Sequence, residues 1–218
     1  MKVLLLAVFS IVVLTNLNPS VNQTEVNRRV EGKRLISPTM PAIQLEFAKS
    51  FKYVGSQSFI LYDVARAEQH FFVDSDKQGR IKRLYWIQFE GYLPNNTHTY
   101  DYKVSKQVTI GGFDFIADAY ARNIKGNPGR ADSDANRARA FLGSKGYRLG
   151  SDDILSQRLV HLVDDAKRNE LMIIYAEDLS PMQLTAADLE ANGKAHAKWE
   201  EISKGLLERA QAGMKIFR

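Results

Sequence analysis

The chain has 218 residues, 44% of them hydrophobic and 10% aromatic, enough to bury one sizeable core and cramped for two. Its 30 Lys and Arg against 25 Asp and Glu leave a net charge of +5, too mild a balance to point to nucleic acid. Cysteine is absent, which excludes a disulfide framework and a lipid-modified cysteine and removes the thiolate ligands of the common structural zinc sites.

Lys2 is followed by residues 3–14, which are apolar except for Ser10; this start resembles a secretory signal peptide. At 1.5 Å per residue the apolar run reaches about 18 Å, short of the roughly 30 Å hydrocarbon layer. An uncleaved N-terminal membrane anchor is the alternative, because no A-x-A pattern precedes residues 16–20. The expected division is a signal peptide over 1–17, a flexible polar leader over 18–40 and a single α+β domain over 41–218. Secretion or a periplasmic location follows, with no transmembrane span beyond the signal segment. Asn22 and Asn95 stand in N-x-T sequons, which matter only on a eukaryotic secretory route. In the leader, Arg28, Arg29, Lys33 and Arg34 form a basic cluster, read as solvated charge on a linker.

The stretch AIQLEFAKSF fits two periods: Ile43, Leu45 and Phe47 alternate, while Ile43, Phe47 and Phe51 recur helically. With Pro41 near the first turn, a short helix is predicted. From Tyr53 the aromatic and β-branched content predicts strands in SQSFILYDV, AEQHFFVD and RIKRLYWIQFEGYL, the last two joined by the turn-forming DSDKQG. An EF-hand reading of that loop fails because position twelve, counted from Asp74, is Tyr85. QVTIGGFDFIADAYARNI predicts a further strand bent at Gly111 and Gly112, with a helix from residue 113 as its rival. Ser133 caps a predicted helix that buries Ala138, Phe141 and Leu142. SQRLVHLV and NELMIIYAEDL are predicted strands around the polar turn DDAKRN, and LMIIY, apolar on both faces, belongs inside a sheet. From residue 180 to about 213, Leu189, Trp199, Ile202, Leu206 and Ala210 draw an apolar stripe that predicts one long helix, started by a cap at Ser180 or at the Thr185–Asp188 spacing.

The four histidines, His70, His98, His161 and His196, stand in no metal-binding spacing, and the G-x-S-x-G, G-x-G-x-x-G and P-loop patterns are absent. No cofactor or metal is predicted. The chemistry that remains lies in RLYWIQFEGYLP. Its even row runs Leu84, Trp86, Gln88, Glu90, Tyr92, too aromatic for open surface and too polar for a sealed core. A half-hydrated cavity reconciles both facts. Trp86, Gln88, Glu90, Tyr92 and Arg158 are the predicted ligand-binding residues. Glu90 is expected to titrate abnormally, raised by burial or lowered by Arg158 if the two meet.

The element order predicts an α+β fold: a curved antiparallel sheet of about six or seven strands packed on a long C-terminal helix, with one or two shorter helices. Over residues 42–214 that order is similar to the helix-grip architecture of START-like ligand-binding proteins, without a sequence motif of that family. The first functional expectation is an exported, non-catalytic domain that binds a small, largely apolar molecule. The alternatives are a hydrolase- or isomerase-type enzyme using Glu90 or His161 as general acid/base, with Arg158 or Tyr100 as partner, and an envelope or surface module for protein interaction.

Overall fold

A computed structural model describes residues 28–103 and 106–218; the predicted signal peptide and the first part of the predicted leader lie outside the described residues. The fold is α+β, mostly antiparallel sheet with a few helices. In chain order the elements are β1 (Arg29–Glu31), β2 (Arg34–Ser37), β3 (Ile43–Phe47), β4 (Lys52–Leu61), β5 (Ala65–Ser75), β6 (Arg80–Tyr92), β7 (Gln107–Ile110), β8 (Phe113–Asn123), α1 (Asp134–Ser144), β9 (Arg148–Leu149), β10 (Asp153–Leu162), β11 (Asn169–Asp178), α2 (Ala186–Leu189), α3 (Trp199–Ala212) and β12 (Met214–Phe217). The large sheet runs β4-β5-β6-β11-β10-β8-β7, with β9 paired to β6; the small one runs β1-β2-β3-β12. Among the described residues, twelve strands in two sheets thus replace the six or seven predicted in one. Among the described residues no helix is long and apolar enough to cross a membrane.

Local chemistry makes the hairpins. Between β5 and β6 the Asp76 carboxylate accepts the backbone N–H groups of Gln78 and Arg80, each at 2.9 Å. Gly111 and Gly112 close the two-residue turn from β7 to β8 with φ of +60° and +80°, the backbone of the turn that suits the right-handed twist of a hairpin. They make a hairpin rather than a bend within one strand, and the rival helix from residue 113 does not form.

Both faces of the large sheet are covered. The odd row of β6, Tyr85, Ile87 and Phe89, faces the main core, together with Leu171, Ile173 and Tyr175 of β11, the small sheet and α3. Tyr85 packs against Phe47, Phe51 and Tyr175 at ring distances of 5.1, 4.7 and 4.8 Å. The even row faces α1: Leu84 and Trp86 join Phe71, Val73, Ile174 and Ala176 under Ala138 and Leu142.

Three expectations are corrected. Residues 43–47 form a strand, because Ile43, Leu45 and Phe47 bury their alternating row between β2 and β12. Part of the span read as polar leader forms β1 and β2, whose Leu35 is fully buried. The predicted long C-terminal helix is broken: a 3-10 turn over Ser180–Met182, the four-residue α2, a second 3-10 turn over His196–Lys198, then α3 of 14 residues. The Thr185–Asp188 capping box starts α2. The Asp188 carbonyl then accepts Ala195 N–H, folding the link back on itself at Gly193, where a Cβ would run into the Ala187 and Asp188 carbonyls. After α3 the chain adds β12 to the small sheet opposite β3, an element absent from the sequence reading.

Candidate functional site

The even row of β6 passes from apolar to polar as it leaves the cover of α1. Gln88 is paired in register with Gln69 of β5, which is paired in turn with Gln57 of β4. The three amides form a ladder that runs inward from half-buried Gln57: Gln57 Nε2 donates to Gln69 Oε1 at 2.7 Å, Gln69 Nε2 to Gln88 Oε1 at 2.7 Å, and Gln88 Nε2 to Glu90 Oε2 at 2.6 Å. Trp86 Nε1 adds a second donor to Gln88 Oε1 at 3.2 Å. Gln69 and Gln88 have no exposure at all, and the ladder offsets the desolvation of their amides, which unpaired would cost about 1 to 3 kcal/mol each. The ladder ends on the Glu90 carboxyl, with side branches from Gln69 Nε2 to the Asp134 carbonyl at 3.2 Å and from Gln88 Nε2 to Asp134 Oδ2 at 3.5 Å.

Register places Glu170 of β11 directly opposite Glu90 and Met172 opposite Gln88. Two tyrosines of the segment after β6 cap the carboxyls. Tyr100 Oη donates to Glu90 Oε1 at 2.9 Å and Tyr102 Oη to Glu170 Oε2 at 2.7 Å. Tyr92, Tyr100 and Tyr102 stack, with centroids 4.5 Å and then 6.5 Å apart. Asp134, at the start of α1, brings a third carboxyl; its Oδ1 accepts Ala135 N–H.

These groups surround a cavity of about 440 Å³ whose lining includes Leu61, Gln88, Glu90, Tyr92, Asp134, Arg158, Glu170 and Met172, with residues 99–102. Burial pushes the Glu170 carboxyl up to about 8, against the Tyr102 hydrogen bond and with help from nearby Glu90. Burial likewise raises Glu90, against hydrogen bonds from Tyr100 and Gln88, and raises Asp134. Arg158 reaches neither glutamate by hydrogen bond. Its guanidinium grips Asp118 of β8 at 2.9 and 3.0 Å. Burial opposes that charge, and the Asp118 contact outweighs it.

Of the predicted ligand-binding residues, Gln88, Glu90, Tyr92 and Arg158 line this cavity. Trp86 does not: it lies in the core under α1 and supports the site through Gln88. Since Arg158 is taken by Asp118, Glu90 follows the burial direction of the two foreseen for it. His161 is on the opposite face, in register with Leu171, its ring edge-on to Phe113 and its Nδ1 2.9 Å from the Asp114 carbonyl. His70 is buried between Glu68 and Tyr53. Sequence reasoning missed Glu170, Asp134 and Tyr102. The Y-x-Y spacing of Tyr100 and Tyr102 was a usable signal, whereas Glu170 at the head of an apolar strand had none until its pairing with β6 was known. Among the described residues no group of three or more His, Asp and Glu side chains is placed to hold a metal ion.

No protein-family model matches the chain, and neither a curated protein nor a solved structure does. The likeness of element order to helix-grip proteins has no matching solved structure behind it.

Proposed function

We propose that this protein is an exported, non-catalytic domain that binds a small molecule, with an apolar body and a polar end, in the cavity between the Glu90–Glu170 row, α1 and residues 99–102. The observation that carries the reading is the lining. Leu61, Met172 and the tyrosine rings offer apolar contact, while Glu90 and Glu170 present carboxyls fixed by Tyr100 and Tyr102. A volume of about 440 Å³ falls within the range of small-ligand sites, roughly 300 to 1,000 Å³. The apolar run of residues 3–14 after Lys2 supports export. The test is a fragment screen on isotope-labelled protein. Hits that shift the amides of Glu90, Tyr100 and Glu170 together support the reading; hits confined to other surfaces, or none, sink it.

A second reading is favoured by one relationship, the direct opposition of two carboxyls whose surroundings differ. In it Glu90 or Glu170 serves as a general acid/base. Turnover of a bound fragment, lost in Glu90→Gln with the fold intact, would select the enzyme over the binding domain.

A further inference from the structure

Resting on the pocket reading above, we propose that the polar end of the ligand is a protonated amine seated between Glu90 and Glu170, and that its entry releases a proton to solvent. Charge balance is the first argument. Glu90 from β6, Glu170 from β11 and Asp134 from α1 all line the cavity, with Asp101 at its rim. Arg158 from β10, the one cation among the described lining residues, is already neutralised by Asp118. An anionic ligand would therefore meet carboxyls and no free base among the described lining residues, whereas a cation meets acceptors.

Glu170 supplies the second, independent argument. It is only 3% exposed, yet among the described residues Tyr102 is its one hydrogen-bond donor, and that bond goes to Oε2. Its Oε1 has no partner there, and the side chain lines the cavity. Open to the cavity, Oε1 lacks a donor once the carboxyl is ionised, and a group rich in N–H supplies one. An ammonium has three donors and no acceptor, so it fits a site already full of acceptors.

The tyrosines add a third. Arg168 lies over the outer ring of Tyr92 at 5.9 Å and Arg158 over Tyr102 at 5.4 Å, so cations already lie against both ends of the stack. Ring faces attract ammonium groups electrostatically, more so when water is excluded. The Tyr100 and Tyr102 hydroxyls are committed to Glu90 and Glu170. They orient the carboxyls rather than compete for the amine.

The proton follows from the neighbours. The groups facing Glu170 are Glu90, Tyr100 and Tyr102, Asp134 and the paired Arg158. Near pH 7 Glu170 holds its proton, since burial raises its carboxyl to about 8. When the ammonium enters, the carboxylic acid becomes a carboxylate paired with it, and the proton goes to water. Binding therefore tightens as pH rises toward the Glu170 value.

Calorimetric titration of the full chain with phenethylamine, the neutral 2-phenylethanol and the anionic 3-phenylpropanoate tests this, each in phosphate and in Tris near pH 7. The expected result is an amine preference of about tenfold or more over the alcohol and no binding of the anion. The buffer dependence of the heat should report close to one proton released, and Glu170→Gln should abolish that release while circular dichroism shows the fold unchanged. Amine and alcohol binding equally, or amine binding without proton release, overturns the assignment and leaves the pocket reading standing. If no probe binds while fragments still map to Glu90 and Glu170, the amine assignment alone falls; if no fragment maps there either, both fall.

Discussion

Glu90 and Glu170 stand directly opposite each other on neighbouring antiparallel strands, each held by the hydroxyl of a different tyrosine. Like charges in that position destabilise a sheet. The pair is tolerated because Glu170, pushed up to about 8 by burial with Glu90 nearby, keeps its proton where an ordinary glutamate has lost it.

Stability should therefore depend on pH through Glu170. Its folded value lies above the ordinary 4.5, so between about 4.5 and 8 the folded state holds a proton that the unfolded chain has released. The contribution is fully present below that window and is lost as pH rises through it, with a slope of at most about 1.4 kcal/mol per pH unit. Urea melts across this range should show Glu170→Gln with a flatter profile than the parent and a relative gain at the alkaline end. Parallel profiles would mean that Glu170 titrates normally.

Tyr102→Phe removes the hydrogen bond that favours the Glu170 carboxylate. The Glu170 midpoint, followed by carbon NMR of the labelled carboxyl, should move further up. Folding should weaken by about 1 kcal/mol. Tyr100→Phe should do the same to Glu90. A downward shift in either variant would show that the tyrosine does not act as the donor.

Gln88→Leu strands Trp86 Nε1 and Glu90 Oε2 and leaves Gln69 Nε2 with only its 3.2 Å bond to the Asp134 carbonyl. A loss of about 2 to 4 kcal/mol is expected in chemical denaturation. The double variant Gln69→Leu/Gln88→Leu should lose less than the two single losses added together, because the second change removes a group stranded by the first. Strict additivity would show that the amides do not act as one ladder.

On the other face, Tyr85 Oη donates to the Ala210 carbonyl at 2.6 Å and ties the large sheet to α3. Tyr85→Phe should cost about 1 kcal/mol. Gly213→Ala should cost more, since a Cβ there meets the Tyr85 hydroxyl; placing it in the Tyr85→Phe background should recover part of that loss. Thermal melts of the three proteins decide the matter, and no recovery would mean that the tyrosine oxygen is not the obstacle.

Where signals were local, they were legible. Asp76 and Gly79 mark the β5–β6 turn, Ser133 caps α1 through Asn136 N–H, and LMIIY lies inside the large sheet. Ile43, Leu45 and Phe47 misled because five residues fit a helical and a strand period equally; the choice fell to β2 and β12, and β12 lies at the far end of the chain. The C-terminal stripe misled differently. Leu189 and Leu206 are both buried in the main core, but the helix is interrupted between them over residues 190–195, so their helical spacing was coincidental.

RLYWIQFEGYLP alone determined that one side of a strand carries Trp86, Gln88, Glu90 and Tyr92 together, because side chains alternate with a period of two. It also carried the tension between aromatic and polar groups on that side. Only the tertiary structure decided that α1 covers Trp86, that Glu170 stands opposite Glu90 and that Arg158 belongs to Asp118. Strand register and helix docking join residues far apart in the chain, and local spacing holds no record of which distant strand will complete a row.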